Sequence, residues 1–127
     1  MKLKLMLFLA FVLPGMMTMA QTSSGKGEEL KIKTSAQCNM CKDRIEKAMA
    51  YEKGVYESTL NVEDKVLTLR YNPKKTTPEK IRTVLNNTGY DADDTKADQK
   101  AYNKLPDCCK KPEDRHVHSD GCEHGHE

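Results

Sequence analysis

The chain has 127 residues, 31% of them charged, with 21 Lys and Arg against 19 Asp and Glu, five cysteines and no tryptophan. So even a balance, with so few aromatics, argues against nucleic acid, which asks for a basic face interleaved with stacking rings. The charge is most simply a solvated surface, and the length suits one small domain with tails.

At the N-terminus, Lys2 and Lys4 precede an unbroken apolar run from Leu5 to Leu13, then Pro14-Gly15 and a small-residue site at Thr18-Met19-Ala20. This is the layout of a secretory signal peptide over residues 1–20, cleaved after Ala20. Leu5 to Ala20 falls short of the roughly 20 apolar residues a spanning helix needs. The processed chain is therefore expected to have no stable membrane insertion, and the short lysine-led leader points to bacterial export into a periplasm. Losing the two leader lysines leaves 19 basic residues against 19 acidic ones. Residues 21–29, beginning QTSSGKG, read as a flexible linker.

Residues 30–93 carry nearly all the periodic apolar positions. Leu30-Lys31-Ile32-Lys33-Thr34 alternates apolar and polar, as a half-buried strand does. Cys38 and Cys41 follow where that strand gives way to a helix, with Asn39 expected as the N-cap. Ile45, Ala48 and Met49 form the helix's apolar stripe, and Gly54 ends it. Val55 to Val62 and Lys65 to Tyr71 read as two strands joined by a turn at Glu63-Asp64. Thr77-Pro78 opens a second helix with a cap and a proline at its first position; Ile81, Val84 and Leu85 supply its stripe, and Gly89 stops it. Tyr90 to Ala92 begins a last strand. The order β-α-β-β-α-β predicts an α+β, ferredoxin-like sandwich, an antiparallel sheet with two helices on one face. A domain of about sixty residues is marginal on its own, so a bound ion would add usefully to its stability. Residues 94–127 turn polar and end in CCKKPEDRHVHSDGCEHGHE, expected as a largely disordered Cys/His-rich tail.

The chemistry lies in the thiols. A helix N-terminus favours thiolate at Cys38 and Cys41. Two thiolates suit a soft ion of low coordination number, Cu(I) first, with Hg(II) possible; Zn(II), also possible, wants four ligands and the pair supplies half. Ca²⁺ and Mg²⁺ are excluded by ligand type. Met40, between the cysteines, is either a soft thioether donor or an exposed loop methionine. The rival is thiol-disulfide exchange, a third possibility a structural Cys38–Cys41 disulfide. Thioredoxin-like sites usually place an aromatic before the first cysteine and a proline loop opposite; here Gln37 precedes and no proline begins a late strand. No second catalytic group stands near the pair, so the expectation is a binding protein and not an enzyme. Cys108, Cys109, His116, His118, Cys122, His124 and His126 form a second candidate set in the tail, suited to Zn²⁺, Cu²⁺ or Ni²⁺. Its alternative is a polar end with a Cys109–Cys122 disulfide.

Cys38-Asn39-Met40-Cys41 after the first strand, Ile45-Glu46-Lys47-Ala48 in the helix, Gly54-Val55, Tyr71-Asn72-Pro73, and Thr77-Pro78-Glu79-Lys80-Ile81 leading to Gly89-Tyr90-Asp91-Ala92 together resemble the heavy-metal-associated domain. This is the module of copper chaperones, of copper and zinc ATPase tails and of periplasmic mercury-binding protein, and the resemblance covers half the chain. It implies a soft-metal site at Cys38 and Cys41, Tyr90 packed beside it, and a monomer that exchanges its ion with a metal transporter or another metal-binding protein, for transfer or sequestration. One position departs from the pattern. Where the family usually has Gly-Met before x-Cys, with the methionine packed under the metal loop, this chain has Ser35-Ala36.

Overall fold

The computed structural model describes residues 26–115. The expected leader, most of the linker and the histidine-rich end lie outside them.

Strand β1 (Glu28–Lys33) leads into helix α1 (Asn39–Tyr51); a hairpin of β2 (Val55–Asn61) and β3 (Val66–Tyr71) follows, then helix α2 (Pro78–Thr88). The three strands form one antiparallel sheet in the order β1-β3-β2. Leu67 sits opposite both Ile32 and Leu60, and Leu69 opposite Leu30 and Ser58. Alternation in the strands thus lines up one apolar face, and α1 and α2 bury Ile45, Met49, Ile81 and Leu85 against it. This is the ferredoxin-like α+β sandwich that the order of elements implied. As expected, Thr77 caps α2 by accepting a hydrogen bond from the Lys80 N–H (3.3 Å), with Pro78 at the first position and Gly89 closing the helix at φ 104°.

Four local expectations change. The domain begins at Glu28, so Glu28 and Glu29 belong to β1 and not to the linker. The β2–β3 turn takes four residues, Val62 to Lys65, because the Asn61 and Asp64 side chains accept the Glu63 and Val66 N–H groups (both 2.9 Å) and hold it open. The N-cap of α1 is Cys38 and not Asn39. The last strand shrinks to a single bridge between Thr34 and Ala92. Asp93 takes a left-handed conformation (φ 51°), and Ala92 and Thr95 exchange backbone hydrogen bonds, turning the chain away after that one contact.

The largest difference concerns residues 94–115. Expected as polar and largely disordered, they fold back on the domain. A short helix, α3 (Gln99–Asn103), is capped by Asp98 accepting from the Ala101 N–H (2.9 Å), and two 3₁₀ turns follow at Asp107–Cys109 and Pro112–Asp114. Leu105 and Cys109 enter the core, with Tyr102 and Cys108 packed against it. Polar contacts fasten the rest. The Lys111 ammonium pairs with Asp91 (2.8 Å), the Tyr102 hydroxyl accepts from the Lys111 N–H (2.9 Å), and it donates to Asp114 (2.7 Å).

Burial pushes the Asp91 carboxyl up, but the Lys111 ammonium and the Ala97 N–H outweigh it and hold it below its ordinary value. A carboxylate depressed in the folded state contributes stability that is present above its unfolded pKa, about 3.9, and lost as pH falls below it. Protection of the α3 amides, measured relative to their intrinsic exchange rates, should therefore fall as the pH is lowered from about 5 to 3, ahead of protection in β3, and Asp91→Asn should remove that pH step.

Candidate metal centre

The site is built by the turn that joins β1 to α1. Ala36 is fully buried beneath the loop, in place of the larger methionine, and its N–H donates to the Thr34 hydroxyl (3.2 Å), which in turn donates to the Lys65 carbonyl (3.0 Å). From the opposite side, the Asp91 N–H donates to the Ser35 hydroxyl (2.9 Å). The smaller residue is thus compensated by a hydrogen-bonded frame, and the loop is held at both ends.

Cys38 caps α1 with extended backbone and makes no side-chain capping bond, so its sulfur is not committed to the helix end. Cys41 lies one turn above Ile45 and two above Met49, as the first member of the buried stripe, and is fully buried. The two sulfurs stand 3.5 Å apart. The Gln37 N–H donates to the Cys41 sulfur (3.4 Å).

Two further sulfurs arrive from the folded-back segment. Cys109, 1% exposed, brings its sulfur within 3.9 Å of Cys38, and the Cys38, Cys108 and Cys109 sulfurs all lie within 4.8 Å of one another. Cys108 also donates to the Met40 thioether (3.7 Å), while the Met40 side chain keeps one flank open to solvent. No disulfide joins any two of the described cysteines. The fold thus brings Cys108 and Cys109, two members of the tail set, beside Cys38. The other members of that set, His116, His118, Cys122, His124 and His126, lie outside the described residues.

The Cys109 thiol, hydrogen-bonded to Cys41, lowers the Cys41 pKa to about 5 against the cost of burial, and the Gln37 N–H adds to the effect. Cys109 moves the opposite way, first through that same bond and then through burial and the charge on Cys41. The two thiols are electrostatically linked, Cys41 pushed down and Cys109 pushed up. Tyr90 is fully buried; its hydroxyl has no partner at hydrogen-bonding geometry, and burial, followed by the Cys41 and Cys109 sulfurs, raises its pKa. It is at once a core aromatic and the polar wall of the sulfur site.

Cysteine sulfurs, two of them buried, gathered beside a helix N-terminus on a sandwich core make a candidate soft-metal site. An α+β metal-carrying domain is the class that fold and site define. Residues 35–91 match the family model of the heavy-metal-associated domain. The match covers a little under half of the chain. The chain is similar to the copper-exporting P-type ATPase of Staphylococcus epidermidis, 36% identical over 64 residues, which are 50% of this chain and 8% of the ATPase. The chain thus spans only a small fraction of the curated relative it matches. Among solved structures, the N-terminal domain of a potential copper-translocating P-type ATPase from Bacillus subtilis, in the Cu(I)-loaded state, aligns at 25% identity and a TM-score of 0.50, covering 52% of this chain and 84% of that one. The CopZ metallochaperone aligns at 21% identity and a TM-score of 0.50, over 51% of this chain and 98% of its own, a likeness of fold. Among the described residues, no helix is long and apolar enough to cross a membrane.

Sequence reasoning named Cys108 and Cys109 as candidate ligands but missed that they return to Cys38. A signal was available: Tyr102, Leu105 and Cys108-Cys109 recur every three or four residues inside the polar stretch, the spacing of one packed face.

Proposed function

We propose that this protein is an exported, periplasmic carrier of a soft metal ion, Cu(I) foremost, which it captures at Cys38 and Cys41 for transfer or sequestration. The observation that carries the proposal is the pair of sulfurs 3.5 Å apart in the β1–α1 loop. Export is supported by the leader-like first twenty residues. Cu(I) is supported by the copper-exporting ATPase and the Cu(I)-loaded domain among the similar proteins, which also make a metal transporter or another metal-binding protein the natural partner. Thiol-disulfide exchange fits less well, because Cys41 is fully buried and out of reach of a substrate disulfide.

Anaerobic competition of Cu(I) between the protein and a chromogenic chelator tests the assignment. Cys38→Ser and Cys41→Ser should each weaken Cu(I) binding by more than about 100-fold, beyond the cost usual for outer-shell partners of a metal. Running it on a chain ended after Arg115 keeps the imidazoles of His116, His118, His124 and His126 out of the measurement. Unchanged affinity in either variant would reduce the pair to a structural element. Hg(II) and Zn(II), titrated in the same format, rank the cargo.

A further inference from the structure

We propose that the folded-back segment is both ligand and lid for this site: Cys109, with Cys108 beside it, adds a third thiolate to the Cys38–Cys41 pair, so that the ion is retained until the segment lifts. The inference rests on the reading of Cys38 and Cys41 as soft-metal ligands and adds the regulation of that site.

The spacing carries the first half. Three sulfurs about 2.3 Å from one ion in a plane stand about 4 Å apart, whereas two in line across an ion stand about 4.6 Å apart. Cys38 lies 3.5 Å from Cys41 and 3.9 Å from Cys109, already at the closer, three-sulfur separation. Burial points the same way. A third sulfur has been carried from 71 residues away into the core, 1% exposed, where the buried Tyr90 hydroxyl faces it and Cys41.

The docking carries the second half. The segment is anchored near its start by the Ala97 N–H donating to Asp91 and the Asp98 N–H donating to the Asn86 carbonyl (both 2.9 Å), and beyond that by buried Leu105 and Cys109, by the Lys111–Asp91 pair and by the two hydrogen bonds of the Tyr102 hydroxyl. With Cys41 and Cys109 both buried under it, an acceptor meets only the Cys38 and Met40 side first. Lifting the segment removes one ligand and exposes the others in the same movement.

The test uses the processed chain, Gln21 to Glu127, loaded anaerobically with Cu(I) alone. X-ray absorption should find three sulfurs around Cu(I) in the parent and two in Cys108→Ser/Cys109→Ser, and release to a bidentate Cu(I) chelator should be at least about tenfold faster in the variant. Because Cys109→Ser could disturb folding, a second variant, Tyr102→Phe/Lys111→Ala, keeps every thiol and loosens only the docking. It should release Cu(I) faster at unchanged stoichiometry. Two sulfurs in the parent, or release rates that neither variant changes, would overturn the proposal while leaving the Cys38–Cys41 assignment intact. Retention of Cu(I) by Cys38→Ser/Cys41→Ser would overturn the assignment itself.

Discussion

Ile45→Ala should lower the unfolding free energy by about 2–5 kcal/mol, the usual cost of truncating a buried aliphatic residue that leaves a cavity. Ile45 is fully buried between Cys41 and Met49 on the face of α1 that meets the sheet. A single domain has only about 5–15 kcal/mol in total, and one this small stands near the lower end. Urea denaturation of the metal-free protein reads the loss directly, as a fall in midpoint at unchanged slope. Saturating Cu(I) should restore part of it, since an ion that binds only the folded state stabilises in proportion to the logarithm of its concentration over Kd. A loss under about 1 kcal/mol would mean that the helix does not seat on the sheet as described.

Gly89→Val should cost about 1–3 kcal/mol from backbone strain alone, since φ of 104° is closed to a β-branched residue. Packing adds to this. A Cβ at position 89 would meet the Ala101 carbonyl oxygen and the Leu105 Cγ, each at 3.1 Å. Both atoms belong to the folded-back segment, so relief comes most easily by pushing that segment away. Beyond the drop in denaturation midpoint, exchange protection in α3 should fall more than protection in β3. Equal losses in both would place the strain in the body of the domain.

The sandwich was legible because each of its elements carries its own punctuation. The alternation Leu30-x-Ile32 and Leu67-x-Leu69, the Thr77-Pro78 cap and Gly89 all act within a few residues, where local sterics decide. Cys38 and Cys41 were legible for the same reason, as a motif at a strand-to-helix junction. The return of residues 94–115 was not, because its anchors are Leu105 and a handful of polar pairs joining distant positions, such as Lys111 with Asp91. Only the short Tyr102-Leu105-Cys108 spacing distinguishes such a segment from a solvated tail, and its cysteines drew attention to the neighbouring histidines in place of Cys38. The last strand failed for a local reason that composition does show. Asp91, Asp93 and Asp94 are poor strand residues and good turn residues.

That shortened strand has a consequence for self-association. With a single bridge at Ala92, most of the outer edge of β1 has no neighbouring strand among the described residues. An open edge is a template on which a second chain can add. Here the edge reads Glu28, Glu29, Leu30, Lys31, Ile32, Lys33: four charges in six residues, with the Glu29 and Lys31 side chains paired at 3.7 Å in solvent. Charged side chains are how natural sheets keep such edges from zipping together. Replacing them with apolar residues would leave the β1–α1 loop untouched and make the domain prone to stack through its sheet.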